Sequence, residues 1–326
     1  MVNNFQAVNE PSAEIVERIA AAAPENPFAT NEYMAVRRRL GSQPCAFWID
    51  DAGEVASGCL AFLTRGRLNA RVEITSLPVL EDKEMFWRGA FDFCRKHDVS
   101  LLSVYTFASL EPFIGRESKR IEHKRRSEYR LDLKEPDIWA VMNRRHHRLI
   151  KRARSAQVAI RRNSDTDARN RHIELANMSL DRRRGRGDEI GYRIELDDVN
   201  AFIECGAGEI FQAVRDGEVF SSLLVARSRT GGYAQSSGTS EEGRSLGSSH
   251  FIFYETACIL KTEGCEVFNL GGADEQSTGL QEFKLGLGSK RIELESADFY
   301  TGSTLKKFAT RAAALLKSFP GLPIGT

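Results

Sequence analysis

Residues 47–62 read FWIDDAGEVASGCLAF, and residues 211–226 read FQAVRDGEVFSSLLVA. In both stretches an apolar run leads into an Asp/Gly turn, and Glu-Val then opens a second apolar run. Turns of this composition between two apolar runs predict a β-hairpin. The glycines of the two turns, Gly53 and Gly217, lie 164 residues apart. The chain is therefore predicted to contain the same hairpin twice.

The pattern that follows each hairpin is also repeated. Hydrophobic periodicity predicts a third strand, a helix and a fourth strand after each copy, at 71–76, 83–96 and 99–105 and again at 233–239, 249–263 and 265–270. Two helices are predicted before each copy, at 13–22 and 31–40 and at 168–180 and 197–205. We therefore expect an α+β fold of two domains with one architecture, each a mainly antiparallel twisted sheet flanked by helices.

The join between the domains is predicted near residue 135, which gives domains of 1–135 and 136–326. Pro136 suits the first turn of a helix, and an apolar stripe predicts one basic linking helix over 136–156. His146 lies on or beside this stripe, which favours a packing role over a catalytic one. A C-terminal helix is expected over 301–326, packed back on the first domain.

Composition narrows the class of protein. Of the 326 residues, 41% are hydrophobic and 28% are charged, and the mean hydropathy is −0.36, values typical of a globular chain. No apolar run is long enough for a membrane span, and the N-terminus has no export signal. The six cysteines and six histidines show no metal-binding spacing. We expect a cytoplasmic protein with reduced cysteines, no metal and no membrane span.

Basic residues are concentrated in one part of the chain. Residues 144–162 contain seven Arg, one Lys and no acidic residue, and a second cluster follows at 182–186. Two interpretations remain open, a solvated helix face or a surface that binds an anionic partner. On the second interpretation, the candidate phosphate-binding residues are Arg144, Arg145, Arg148, Lys151, Arg152, Arg154, Arg183 and Arg186.

Three segments of the second half could carry chemistry. The Gly/Ser-rich stretch at 241–249 is either an anion site at a helix start or a capping loop. Gly271 and Gly272 end a predicted strand, where they serve a turn or let a ligand approach the backbone. Lys284 lies in the Gly-punctuated run 279–288. It is either a surface side chain or a fixed positive charge beside a developing oxyanion.

Most of the chain, with the best match over 126–298, resembles the FemABX-type transferases of the GCN5-related N-acetyltransferase (GNAT) superfamily. The resemblance lies in the buried helix followed by GCEVFNLGG at 264–272, then Gly279-Leu280 and Phe283-Lys284-x-Gly-x-Gly. YRLDL at 129–133, Trp139 and the basic helix are similar to the family's domain junction. The resemblance implies two tandem GNAT-like domains in a compact, FemX-like form.

The resemblance also implies a function. Members of this family move an amino acid from aminoacyl-tRNA to an amine, often on a peptidoglycan precursor, with no further cofactor. Lys284 falls on the family's Phe-Lys position and is the expected catalytic residue. The expected acceptor-binding residues are Tyr192, Tyr233, Gln235, Asn269, Gly271 and Gly272. The GNAT pyrophosphate loop survives only in part at Arg244–Ser249.

Two alternative functions remain. An acyl-CoA-dependent GNAT N-acyltransferase would use Arg244 and its loop on the pyrophosphate. A non-catalytic protein that binds RNA or an anionic glycan would use the basic surface alone.

Overall fold

Both predicted hairpins form in the structure, a computed structural model that describes residues 4–66, 69–110, 113–114, 120–188, 190–273 and 276–302. The strands within these ranges are β1 (Asn4–Asn9), β2 (Gln43–Asp51), β3 (Glu54–Arg65), β4 (Ala70–Ile74), β5 (Leu101–Tyr105), β6 (Arg120–Asp132), β7 (Ala159–Arg162), β8 (Gly208–Arg215), β9 (Glu218–Arg227), β10 (Gly231–Thr239), β11 (Val267–Ala273) and β12 (Lys290–Tyr300).

Helices flank the sheet that these strands form. They are α1 (Ala13–Ala22), α2 (Asn31–Arg39), α3 (Lys83–Lys96), α4 (Ile138–Val141), α5 (Arg144–Ser155), α6 (Thr166–Arg184), α7 (Leu196–Glu204), α8 (Glu241–Leu246), α9 (Ser248–Thr262) and α10 (Thr278–Gly286), with a short 3-10 helix at Pro27–Ala29. Side chains accept from the otherwise unpaired N–H groups at several helix starts. Asp82 caps α3 by accepting from Met85 N, and Asp165 caps α6 by accepting from Ala168 N, each at 2.8 Å.

The two halves share one topology, as the repeat predicts. In each half an antiparallel meander, β2-β3-β4 or β8-β9-β10, is followed by helical structure and then by a strand parallel to the third strand. The helical part is α3 in the first half and α8 with α9 in the second. Both hairpins contain a register shift, between Ile49 and Asp50 in one and between Ala213 and Val214 in the other. These positions also differ by the 164 residues of the sequence repeat. The predicted tandem α+β architecture is confirmed.

The last strand of each half is exchanged with the other half. The sheet order is β1-β2-β3-β4-β5-β12-β6-β11-β10-β9-β8-β7. Thus β12, from the end of the second half, pairs with β5, while β6, from the end of the first half, pairs with β11. We keep 1–135 and 136–326 as proposed bounds along the chain, with β6 and β12 crossing between the halves in space.

The prediction of a single linking helix over 136–156 is wrong in one respect, because two helices, α4 and α5, form there. Met142 takes an extended backbone conformation, and the side chain of Asn143 caps α5 by accepting from His146 N at 2.9 Å. Asn143 N also donates to the carbonyl of Gly286 at 3.0 Å. The break therefore lets the start of α5 dock on the end of α10. The C-terminal helix predicted over 301–326 falls, from residue 303 on, outside the described residues.

Three large clusters of buried apolar side chains pack the helices against the sheet. One fills the first half around Phe47, Phe86 and Trp87, and another fills the second half between the sheet, α5 and α9. The third joins both halves and includes Phe28 and Tyr233, whose rings meet edge to face at 4.9 Å. Among the described helices, none is both long and apolar enough to cross a membrane.

Candidate active site

The sheet opens in the second half, where β10 and β11 stop pairing. Their parallel ladder ends at the pair Tyr233–Asn269, although β10 continues to Thr239 and β11 to Ala273. Both strands are irregular at this level. A register shift between Ala234 and Ser236 leaves Gln235 as an extra residue in β10, and β11 shifts against β6 between Asn269 and Gly272. A β-bulge of this kind bends the strand that contains it.

A buried carboxyl group bridges the last rung of this ladder. Glu128 on β6 is 0% exposed. Its Oε1 accepts from the hydroxyl of Tyr233 at 2.9 Å, and its Oε2 accepts from Asn269 Nδ2 at 2.7 Å and from Ala108 N at 3.1 Å. Burial raises the pKa of Glu128, and the three donors oppose that rise by stabilising the carboxylate. Burial, together with the adjacent Glu128, also raises the pKa of Tyr233.

Lys284 reaches the opening from α10. The residue is 5% exposed, Nζ donates to the carbonyl of Gly272 at 2.6 Å, and Nζ lies 5.5 Å from the centre of the Tyr129 ring. Gly271 separates this ammonium from Tyr233. A Cβ on Gly271 would lie 3.7 Å from Lys284 Nζ and 4.0 Å from the Tyr233 hydroxyl. Gly271 also has a φ of +75°, a left-handed conformation that favours glycine.

The helix that carries Lys284 is fixed at both ends. His146 Nε2 donates to the carbonyl of Phe283 at 2.9 Å, and burial lowers the pKa of His146. Gly286 makes this docking possible, because a Cβ there would overlap the His146 ring. At the start of α10, the hydroxyl of Ser277 donates to Asp188 at 3.0 Å. The predicted packing role of His146 is therefore what the structure shows.

The structure brings together Lys284, Tyr233, Asn269, Gly271 and Gly272, five of the residues predicted for catalysis and acceptor binding. Gln235 lies exposed in the bulge beside them. Tyr192 is 58% exposed in the segment between α6 and α7, where its carbonyl accepts from Arg184. No contact among the described residues joins Tyr192 to Lys284.

The basic side chains of α5 are exposed, but some of them have partners within the chain. Arg144, Arg145 and Arg148 lie on the exposed face. Arg154 pairs with Glu255 at 2.8 Å, while Arg152 donates to the carbonyl of Ser245 at 3.0 Å and Lys151 lies 5.9 Å from the Trp139 ring centre. Half of the predicted phosphate-binding residues of α5 therefore also contact other elements of the second half.

The second basic cluster separates into two parts. Arg183 forms a half-buried ion pair with Asp188 at 2.7 Å and belongs to the connection that fixes α10. The sequence predicts Arg183 as a phosphate ligand and gives no sign of this carboxylate partner. Arg186 and Arg244 are exposed and lie near Arg182, whose pKa is lowered by burial and by these two positive charges. They form a positive patch at the ends of α6 and α8.

The partial pyrophosphate loop is covered on one side by α5. The stretch predicted as a loop contains the short helix α8, and Gly247, at a φ of +82°, is the N-cap of α9. A Cβ on Gly247 would overlap the carbonyl oxygen of Leu149 on α5. The hydroxyl of Ser248 is buried and donates to the carbonyl of Gly243 at 2.9 Å.

Two buried polar residues of this region, Glu128 and His172, are not predicted from the sequence. Glu128 lies between Ser127 and Tyr129 on a strand whose apolar residues alternate, so the pattern places it on a polar face. His172 on α6 is fully buried between Ser222 and Ser236, at 2.9 and 2.8 Å. Neither residue stands in a motif, and only the tertiary structure reveals their partners. Among the described residues, no cluster of metal-binding side chains occurs.

Comparison with known proteins identifies the fold that carries these residues. Residues 141–285 match the acetyltransferase (GNAT) domain family. The structure is similar to the crystal structure of FemX, with a TM-score of 0.73 and 12% identity over 93% of this chain and 99% of that one. A comparison with curated protein sequences finds no match.

Two further solved structures share the arrangement. A tandem GNAT protein from the clavulanic acid biosynthesis pathway has a TM-score of 0.54 and 16% identity over 93% of this chain and 100% of that one. L-PGS from Bacillus licheniformis has a TM-score of 0.58 and 13% identity over 94% and 97%. The chain therefore has a FemX-like tandem GNAT fold, which confirms the resemblance seen in the sequence.

Proposed function

We propose that the protein is an N-acyltransferase that forms an amide bond by moving an amino acid from aminoacyl-tRNA to an amine acceptor. Acceptors of the proposed class are amines of a peptidoglycan precursor, a peptide or a natural product. The observation that carries the proposal is the buried ammonium of Lys284 at the opening beyond the Tyr233–Asn269 pair. Lys284 also lies within the segment 141–285 that matches the acetyltransferase (GNAT) domain family. A positive charge at this opening suits acyl transfer.

The proposed reaction needs a fixed positive charge more than it needs a nucleophile. The neutral amine of the acceptor attacks the ester carbonyl carbon of the donor, and the carbonyl oxygen becomes an oxyanion. Collapse of the tetrahedral intermediate expels the ribose oxygen of the tRNA, which takes up the proton lost by the amine. Lys284 would stabilise the oxyanion, and holding both substrates in one opening supplies the proximity.

The packing of α5 against one side of the partial pyrophosphate loop supports aminoacyl-tRNA as the donor. Gly247 packs against the carbonyl of Leu149, and Arg152 donates to Ser245 within the same loop. These contacts take up one side of the segment that would bind the pyrophosphate of CoA. Helix α5 instead presents Arg144, Arg145 and Arg148 to the outside, and Arg186 with Arg244 forms a second positive patch. Phosphate groups of a nucleic acid suit such surfaces.

Acyl-CoA is the second candidate donor. The match of residues 141–285 to the acetyltransferase (GNAT) domain family favours it. A binding protein without activity is a weaker candidate, because RNA or glycan binding by the basic surface gives no reason for a lysine buried at the opening.

The proposed function is tested by incubating the purified protein with charged tRNA or with acyl-CoA over a panel of amines. Mass spectrometry of the amine products then identifies any group transferred. Amide formation that depends on charged tRNA supports the leading proposal, and formation that depends on acyl-CoA supports the second. Retention of tRNA with no product from either donor would favour the binding protein.

A further inference from the structure

Glu128 joins three separate segments at the level where the sheet opens. Its two oxygens accept hydrogen bonds from Tyr233 on β10, from Asn269 on β11 and from the backbone at Ala108. Tyr233 and Asn269 form the last pair of the parallel ladder. The carboxylate therefore holds both edges of the opening from a strand that precedes the second half in sequence.

The connection continues from Asn269 to Lys284. Asn269 Oδ1 accepts from Gly271 N at 2.9 Å, and the carbonyl of the next residue, Gly272, accepts from Lys284 Nζ at 2.6 Å. Each link is a directional hydrogen bond. A displacement of the Asn269 side chain would therefore move the carbonyl that orients the ammonium.

The chemistry of this junction requires a carboxylate. Three donors face the two oxygens of Glu128. An amide in its place could still accept from Asn269 and Ala108, but its NH2 group would then donate to the Tyr233 hydroxyl, whose own proton would lose its acceptor. Leaving one buried polar group unpaired costs about 1–3 kcal/mol. The arrangement is built around two acceptor oxygens in a site closed to solvent.

We propose that Glu128 is a positioning residue, which sets the place of Lys284 through Asn269, Gly271 and Gly272. Glu128 lies opposite Gly272 in the register of β6 and β11, and its carboxylate acts on the ammonium through this connection. The kinetic part of the proposal rests on the acyl transfer proposed above, whereas the structural part does not.

The experiment compares Glu128→Gln with a matched control, Glu73→Gln. Glu73 also accepts hydrogen bonds, from Arg37 at 2.7 Å, but lies on β4 in the first half. Two properties are measured, single-turnover transfer and the 13Cε chemical shift of Lys284 in lysine-labelled protein, assigned with Lys284→Arg. A misplacement of about 1 Å can cost on the order of 100-fold in rate. We expect a loss of that order and a shifted Lys284 signal in Glu128→Gln, and neither change in Glu73→Gln.

A double variant tests whether the hydrogen-bond connection is responsible. In Glu128→Gln/Asn269→Asp the new amide donates to the new carboxylate, which still accepts from Gly271 N, while Ala108 N, which shared Oε2 with Asn269, loses its acceptor. We expect the Lys284 signal to return toward its original position and much of the rate to recover. Asn269→Ser breaks the same connection without changing Glu128, and it should reproduce the loss if Glu128→Gln does not fold.

The two readouts distinguish failure of this proposal from failure of the proposed function. A Lys284 signal that stays unshifted in Glu128→Gln and Asn269→Ser would overturn the positioning role, whatever the substrates are. A shifted signal that the double variant does not restore would also overturn it, because the change would then be a general loss of packing. A shift that the double variant reverses supports the proposal even where neither donor yields a product.

Discussion

Tyr233 and Asn269 form the last pair between β10 and β11, and the strands separate beyond them. The corresponding strands of the first half stay together. β4 and β5 pair up to Ile74 and Val104, and Leu77 N then donates to Tyr105 O at 2.9 Å. The same topology therefore yields an open sheet in one half and a closed sheet in the other. An acyl-transfer site is expected only where the sheet opens, beside Lys284.

Lys284→Ala is expected to slow transfer more than it weakens substrate binding. A fixed ammonium acts on charge that appears only in the transition state. By analogy with the loss of one oxyanion donor, the rate should fall on the order of 100-fold, or roughly 3 kcal/mol. Lys284→Arg should recover little activity, because a planar guanidinium differs in shape from a compact ammonium. Single-turnover transfer at saturating donor measures the effect.

The control for this prediction is Lys261→Ala. Lys261 also donates to a backbone carbonyl, that of Leu133 at 2.9 Å, but lies at the end of α9. Its loss should lower the melting temperature with little effect on the rate. A Lys284→Ala protein that melts normally and transfers at the original rate would remove Lys284 from the mechanism.

Replacing Arg144, Arg145 and Arg148 together by Ala should weaken tRNA binding. These three side chains are exposed on α5, and each arginine that binds a phosphate should contribute about 0.7 to 0.9 to the slope of log K against log salt. Fluorescence titrations at several salt concentrations measure the slope. The matched control replaces Arg88, Arg95 and Lys96, which removes the same charge from α3. Equal slopes in both triple variants would make the α5 surface a solvated helix face.

The repeated fold follows from local patterns, and for that reason the sequence predicts it well. The two hairpins need only their apolar runs and the turns at Gly53 and Gly217, and each helix needs only its periodic face. The exchange of β6 and β12 depends on pairing between residues more than 130 positions apart, such as Asp132 with Val267 and Leu101 with Tyr300. No local pattern encodes which of two similar sheets receives a strand.

The candidate site is predictable where a residue type is unusual for its surroundings. Lys284 stands out because it interrupts an apolar, Gly-punctuated run. Glu128 does not stand out, since an acid on one face of a strand is ordinarily solvated. The partner of Arg183 was equally hidden, because Asp188 becomes its ion-pair partner only when the chain turns after α6. The burial of Glu128 and the pairing of Arg183 with Asp188 both arise from tertiary structure. The sequence alone therefore predicts neither.

Gly247→Ala should destabilise the protein more than Gly217→Ala does. Both glycines have a φ of +82°, so each substitution incurs the same left-handed backbone penalty, about 1–2 kcal/mol. A Cβ on Gly217 would meet nothing within 4 Å, whereas one on Gly247 would overlap the carbonyl of Leu149. The difference between the two free energies of unfolding, measured in urea, therefore reports how tightly α5 covers the loop. Equal losses would mean that α5 is free to move away, which would reopen the acyl-CoA alternative.

Acidification should destabilise the second half through His172. Burial lowers the pKa of this histidine from 6.5 to about 4, so the unfolded chain binds the proton more readily than the folded one. The stability that His172 contributes is therefore complete above pH 6.5 and is lost as the pH falls toward 4. The full shift corresponds to about 3 kcal/mol. The lowered pKa of His250, at about 3, acts with the same sign, so the slope of the free energy of unfolding against pH should have contributions from both residues.

Removing the titrating ring isolates the contribution of His172 to this slope. Urea unfolding at intervals between pH 7 and pH 4.5 should show a flatter dependence for His172→Gln, which does not titrate, than for the original protein. The control is His147→Gln, at a histidine stacked on Trp139 with ring centres 4.3 Å apart. Because His172 is buried between two hydroxyls and His147 is only partly buried, the flattening should be larger for His172→Gln. Parallel curves for His172→Gln and the original protein would show that His172 does not drive the acid sensitivity.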